Sequence, residues 1–177
     1  MRINKCLLSG IIIFALNGCA QIAADMEALS GLSALSSSPS EAEVESAKTL
    51  NSPIAISAIN AERNFANGID VSITYKNIDE SRIVKYATFK VIFKNRVNDL
   101  VFGEISGKSH TYLQATGPFK PNEVIWGGYN GWSNVFYHTN ASQVEIVSLS
   151  VEFMNGDELK DINIRGIQGG IGIISQK

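Results

Sequence analysis

Cysteine is nearly absent from this 177-residue chain, which has only Cys6 and Cys19. A disulfide-stapled scaffold and a thiolate metal cluster are both excluded by that count. Histidine is equally scarce, with His110 and His138 alone. Neither has a Cys, a His or a paired carboxylate at the spacings metal sites use, so no metal ligand is expected. No Gly-x-Ser-x-Gly elbow occurs, and Ser109-His110 would point to opposite faces of a strand. No catalytic residue is assigned. An enzyme would need an assembly that leaves no mark on the sequence. There is no basic excess either: 15 Lys+Arg stand against 17 Asp+Glu, which excludes a nucleic-acid footprint. Gly166-Ile167-Gln168-Gly169-Gly170-Ile171-Gly172 lacks the following helix and the lysine of a phosphate loop, so no nucleotide or other cofactor is implied. It reads as a flexible apolar tail, or a weak edge strand, over 166–177. Ile171, Ile173 and Ile174 would be free to extend a partner's sheet. No internal repeat is present.

What is present begins with a basic start, Arg2 and Lys5, then the apolar run Leu7 to Leu16, then Asn17-Gly18-Cys19. That order is an export signal over 1–18. The run is too short to span a bilayer, which takes about 20 apolar residues. Cys6 leaves with the signal, and Cys19 remains unpaired. The Leu16-Asn17-Gly18-Cys19 ending resembles the lipobox of bacterial lipoproteins. The resemblance implies cleavage before Cys19, acylation of its sulfur and attachment to the lipid bilayer. Ala20-Gln21 follows where an aspartate would mark inner-membrane retention, so the implied location is the outer membrane, on its periplasmic face. An ordinary secretory signal with an incidental cysteine is the alternative.

Residues 19–53 form the lipidated terminus and a flexible, partly helical tether. This stretch has no aromatic residue and carries Asp25, Glu27, Glu41, Glu43 and Glu45 against Lys48 alone. Ile22, Met26, Leu29, Leu32 and Leu35 recur at helical spacing, a stripe suited to a membrane or a partner. Ser40 with Glu43 is a capping box that opens a short helix through Lys48.

The pattern turns to period two over 54–165. Ile69, Val71, Ile73 and Tyr75 alternate with polar residues. So do Ala87, Phe89, Val91 and Phe93, and again Val147, Leu149, Val151 and Phe153. Ile54–Asn60, Leu100–Ile105, Thr111–Thr116, Val124–Tyr129 and Leu159–Ile164 are weaker strands. Asn67-Gly68 and Asn155-Gly156-Asp157 supply turns. No helix pattern follows Lys48. The expectation is an all-β domain, an antiparallel immunoglobulin-like β-sandwich of seven to eight strands without an inter-sheet disulfide; a closed barrel is the alternative.

The run Lys76-Asn77-Ile78-Asp79-Glu80-Ser81-Arg82-Ile83-Val84-Lys85-Tyr86-Ala87-Thr88-Phe89 resembles a recurring stretch of small exported bacterial β-sandwich domains. The likeness continues through Asn95-Arg96-Val97-Asn98-Asp99, Thr116-Gly117-Pro118 and Phe153-Met154-Asn155-Gly156. Asn98 stands where the resemblance expects glycine. Turns and core positions carry it, so it implies a fold and no catalytic residues.

Phe119 to Tyr137 gathers both tryptophans with glycines and asparagines between them. Trp126, Tyr129, Trp132 and Tyr137 are candidate binding residues, as a platform for a sugar or a grip on a peptide; core packing is the competing role. Trp132 lies in the Asn130-Gly131-Trp132-Ser133-Asn134 segment, read as a loop, and there Trp132→Ala is expected to leave the melting temperature nearly unchanged. The function that follows is a membrane-anchored periplasmic lipoprotein, non-catalytic, whose domain binds an envelope protein partner. A peptidoglycan or glycan-binding module using Trp126 to Tyr137 is the alternative.

Overall fold

The computed structural model describes residues 37–128 and 131–177. The signal, Cys19, the Ile22–Leu35 stripe and Tyr129 lie outside the described residues. Helix α1 (Glu41–Thr49) starts where the capping box places it: the Ser40 N–H donates to Glu43 Oε2 at 2.6 Å and the Glu43 N–H donates back to Ser40 Oγ at 3.4 Å. Acids fill its first turn and Lys48 its last, matching the helix dipole.

The helix is not part of a loose tether. Ala47 is fully buried in the domain's core cluster. The Gln168 N–H donates to Ser46 Oγ at 3.1 Å, and Ser57 Oγ donates to the Ser37 carbonyl at 3.0 Å. Residues 37–53, expected as flexible linker, are packed on the sheet instead. A residue as small as Ala47 lets the helix backbone approach closely, a contact that helical spacing does not report.

Among the described residues nine strands follow in one sheet. They are β1 (Ile54–Arg63), β2 (Gly68–Asn77), β3 (Val84–Lys94), β4 (His110–Phe119), β5 (Val124–Ile125), β6 (Gly131–Tyr137), β7 (Gln143–Phe153), β8 (Glu158–Asn163) and β9 (Ile171–Gln176). The order is β4-β3-β7-β9-β1-β2-β5, with β6 beside β2 and β8 beside β7. All pairs are antiparallel except β1 with β9, which is parallel. The all-β expectation holds. The sheet, however, is mixed and curls into a nearly closed barrel-like form. Its last gap lies between β4 and β6, where the Trp132 indole N–H donates to the Gln114 carbonyl at 3.0 Å.

The strand count rises because β6 and β9 are both strands outside the expected set, and β9 lies inside the sheet. The segment read as a glycine-rich tail sits between β7 and β1. Its glycines are a steric requirement. A Cβ on Gly172 would lie 2.3 Å from the Ile59 carbonyl oxygen, and one on Gly169 2.6 Å from that of Ile56. Leu100–Ile105 is not a strand. Only the Lys94–Leu100 bridge forms there, after which the chain closes on itself through Gly103 N–H to the Lys108 carbonyl and Gly107 N–H to the Gly103 carbonyl. Val124–Tyr129 shrinks to the two residues of β5.

The core lies on the concave face. Ile69, Val71, Ile73 and Tyr75 of β2 are buried, as are Ala87, Phe89, Val91 and Phe93 of β3. Tyr75 meets Phe89 edge to face at 5.1 Å and Phe119 at 5.8 Å, although β2 and β3 are not neighbours in the sheet. Phe93 stacks on Phe136 at 4.0 Å. In β7 the alternation changes phase. Lys90 pairs with Ser148 but Val91 pairs with Ile146, so Val147 is the extra residue of a bulge. Val144 and Ile146 face inward before it, Leu149, Val151 and Phe153 after it.

Candidate functional site

The aromatic stretch from Phe119 to Tyr137 does not form one platform. Phe119 and Phe136 are buried in the core. Trp132 belongs to strand β6 rather than to a loop. Its ring packs against the core, edge-on to Phe89 at 6.4 Å, and its N–H is held by the Gln114 carbonyl. The expectation of a spare Trp132 is therefore corrected. Trp132→Ala will remove that ring contact and hydrogen bond and lower stability by about 2 kcal/mol, a fall of roughly 6 °C in Tm by circular dichroism. An unchanged Tm would show the side chain to be idle. Trp126 follows β5 and is half-buried, and Tyr137 ends β6 half-buried, its carbonyl accepting the Glu104 N–H at 2.8 Å.

A different set of residues comes together at one pole of the sheet. β1, β3, β6 and β9 end there, and β2, β4 and β7 begin there. The turns at that pole carry Phe65, Val97, Phe102 and Ile105, exposed by 91%, 73%, 59% and 76%. Four large apolar side chains that turned inward would stabilise the fold; instead they stand in solvent on connections between strands.

Their supports are built from asparagine. Asn64 Oδ1 accepts the N–H groups of Ala66 and Gly68, and the Asn67 N–H donates to the Asn64 carbonyl. Asn95 repeats each of these contacts with Val97, Asp99 and Asn98. Asn67 and Asn98 both sit at positive φ, 60° and 68°. Asn98 thus occupies a left-handed position that glycine would also suit. Sequence reading passed over Phe65 and Val97, but the twin Asn-x-x-Asn spacing of 64–67 and 95–98 was a visible signal of matched, rigid turns.

Charge holds the pole together from beneath. Arg63 is buried, and its guanidinium donates to the carbonyls of His138 at 2.9 Å and Ala141 at 2.8 Å. The Thr139 N–H donates to Glu104 Oε1 at 3.0 Å, tying the Phe102–Ile105 loop to the connection after β6. A groove of about 480 Å³ opens between these turns, lined in part by Arg96, Val97, Asn140 and Ile174.

At the opposite pole Ile83 and Met154 are exposed, and the Asp79 turn satisfies its own polar groups. Burial raises the Asp79 carboxyl, but hydrogen bonds from the Arg82 side chain and from the Arg82 and Ser81 N–H groups outweigh it and hold the pKa at about 2. Arg82 lies over the Phe153 ring at 3.9 Å. These residues belong to the Lys76–Phe89 run, and they serve the fold.

Among the described residues no cluster of three His, Cys, Asp or Glu could hold a metal ion. None of their helices is long and apolar enough to cross a membrane. Compared with protein-family models, characterised proteins and solved structures, the chain matches none.

Proposed function

We propose that this chain is a lipid-anchored protein of the bacterial envelope, acylated at Cys19, whose β domain binds another envelope protein through its loop pole and performs no catalysis. The carrying observation is the exposure of Phe65, Val97, Phe102 and Ile105 together on preorganised turns. The chain enters the domain at the other pole, through α1 and the start of β1. Strand β1 is ten residues long and separates the two poles by about 30 Å. An anchor before residue 37 therefore attaches at the pole opposite the apolar turns. Rigid turns lower the ordering cost of binding. The lipobox resemblance supports the outer membrane, periplasmic side, as the location. We read the curled sheet as an immunoglobulin-like sandwich whose halves join through β9, because facing rings from β2 and β3 fill the space between them.

The test is cross-linking in intact envelopes followed by mass spectrometry, with wild type, Phe65→Ser/Ile105→Ser and Cys19→Ser. Wild type is expected to capture one enriched envelope protein, and the double variant to lose at least about tenfold of that capture with its Tm intact. Cys19→Ser should leave the membrane fraction. Equal capture by the double variant would remove the loop pole from the interface. Pelleting with purified peptidoglycan in place of protein capture would favour the glycan reading, which then rests on Trp126 and Tyr137 because Trp132 is committed to packing.

A further inference from the structure

Among the described residues Arg63 is the one buried cation, 6% exposed. Lys94 and Arg82 are partly covered, and each pairs with a carboxylate, Glu145 at 2.6 Å and Asp79 at 2.7 Å. Arg63 has no carboxylate partner. Its guanidinium is always charged and carries five N–H donors. The carbonyls of His138 and Ala141 accept from it, but they bring no negative charge. A charge held out of water without a counter-charge is costly, and buried charges are normally paired. The carboxylates of the same pole are engaged elsewhere. Glu62 meets Lys177 at 4.0 Å, Asp70 accepts the Asn64 amide and the Asn134 N–H, and Glu104 accepts the Thr139 N–H.

Arg63 lines the groove of about 480 Å³ between the β3–β4 turn and the connection from β6 to β7. A second groove of about 430 Å³ adjoins it, and the two share Asn95, Arg96, Ser142 and Ile174. Arg96 is exposed. It enters none of the ion pairs among the described residues, although Asp99 lies three positions on in the same turn. Apolar surface flanks the two charges: Val97 and Ile173 are exposed by 73% and 71%, one on each groove.

We propose that this double groove binds an acidic peptide segment of the envelope partner, its carboxylate answering Arg63 and Arg96 and its apolar neighbours covering Val97 and Ile173. The inference rests on the protein-binding reading of the loop pole and names the partner's chemistry. A carboxylate supplies the counter-charge that the pole lacks, and its two oxygens match the planar fork of a guanidinium. The amides of Asn140 and Gln176, which also line the first groove, can donate to and accept from a peptide backbone. An uncharged ligand would leave both arginines as they are.

The experiment is fluorescence anisotropy of the full chain in non-ionic detergent against short dye-labelled peptides that hold one variable residue, Glu, Gln or Lys, between apolar ones. Wild type is expected to bind the Glu peptide at least about tenfold more tightly than the Gln peptide, the scale of one close charge pair. That preference should shrink as salt is raised. Arg96→Glu should abolish it and favour the Lys peptide, with Tm unchanged. Arg63 also ties two loops, so it is read without mutation: its Nε–H resonance should shift with the Glu peptide and stay in place with the Gln peptide. Equal affinity for the Glu and Gln peptides overturns the proposal. So does a Glu preference that survives Arg96→Glu with the Arg63 resonance unmoved. If Phe65→Ser/Ile105→Ser abolishes envelope capture while the Glu and Gln peptides bind alike, the loop pole stands and the acidic partner falls. Normal capture by that double variant overturns the reading of the pole itself.

Discussion

Gly172→Ala will destabilise the domain by about 3 kcal/mol, the upper range for forcing an atom into a packed interior, and lower Tm by roughly 10 °C. The added Cβ would sit 2.3 Å from the Ile59 carbonyl oxygen and 3.1 Å from its carbon, which are backbone atoms with no rotamer to adopt. Relief requires β9 to move off β1. That movement strains the parallel rungs Ala61–Ile174, Glu62–Ser175 and Arg63–Gln176, and the Gln143–Ile173 rung with β7. A domain with about 5–15 kcal/mol in total loses a large share of its stability. Thermal melting followed by circular dichroism reads the effect. Gly166→Ala is the control for a different mechanism. A Cβ there meets nothing, and only the positive φ of 80° is strained, so it should cost about 1 kcal/mol. Equal losses from the two variants would show that chain conformation, and not the approach of β9 to β1, is what Gly172 supplies.

Asn77→Ala is expected to cost about 3 kcal/mol, for a different reason. Asn77 is buried, and its Nδ2 donates to the Arg82 carbonyl at 3.0 Å and the Phe119 carbonyl at 3.1 Å. Its Oδ1 accepts the Asp79 N–H at 3.0 Å. One side chain thus joins the end of β2, the connection to β3 and the end of β4. Removing it strands backbone groups without partners, at about 1–3 kcal/mol each when water cannot reach them. Asn77→Asp discriminates this account from loss of volume. The shape is kept, but an acceptor then faces two carbonyl oxygens, so Asn77→Asp should be at least as damaging as Asn77→Ala in chemical denaturation. A mild Asn77→Asp phenotype would mean that the side chain acts mainly as filler.

Asn77 also shows that the polar residues of the Lys76–Phe89 run serve the turn between β2 and β3. Its polar members are satisfied within the turn: Asp79 by Ser81 and Arg82, Arg82 by Asp79 and the Phe153 ring. The strands with regular alternation were readable. All eight inward positions named for β2 and β3 are buried. β7 was readable only in its second half, because a bulge at Val147 shifts the phase and leaves no trace in composition. The cap of α1 was visible in Ser40 and Glu43, while its docking was not, since burial of Ala47 depends on where β1 lies.

β9 and the loop pole escaped for two further reasons. Glycine lowers strand propensity, so Gly169-Gly170-Ile171-Gly172 read as a tail; Gly169 and Gly172 answer to the backbone of β1, more than a hundred positions away. Leu100–Ile105 is apolar whether it faces a core or a solvent, and composition alone does not separate the two. The aromatic stretch failed in the opposite sense. Trp132 looked idle because Gly131 and Asn134 flank it, yet Asn134 marks a bulge in β6 and the strand continues through it.

The interior place of β9 also orders events in time. Ser175 Oγ reaches the Ala61 carbonyl across 114 positions of chain. A ribosome delivers β1 early and β9 late, and until β9 arrives β1 and β7 each lack a neighbour. Every shorter nascent length is therefore an open sheet, unable to close its core, and the loop-closure entropy for the parallel rungs falls due only at the end.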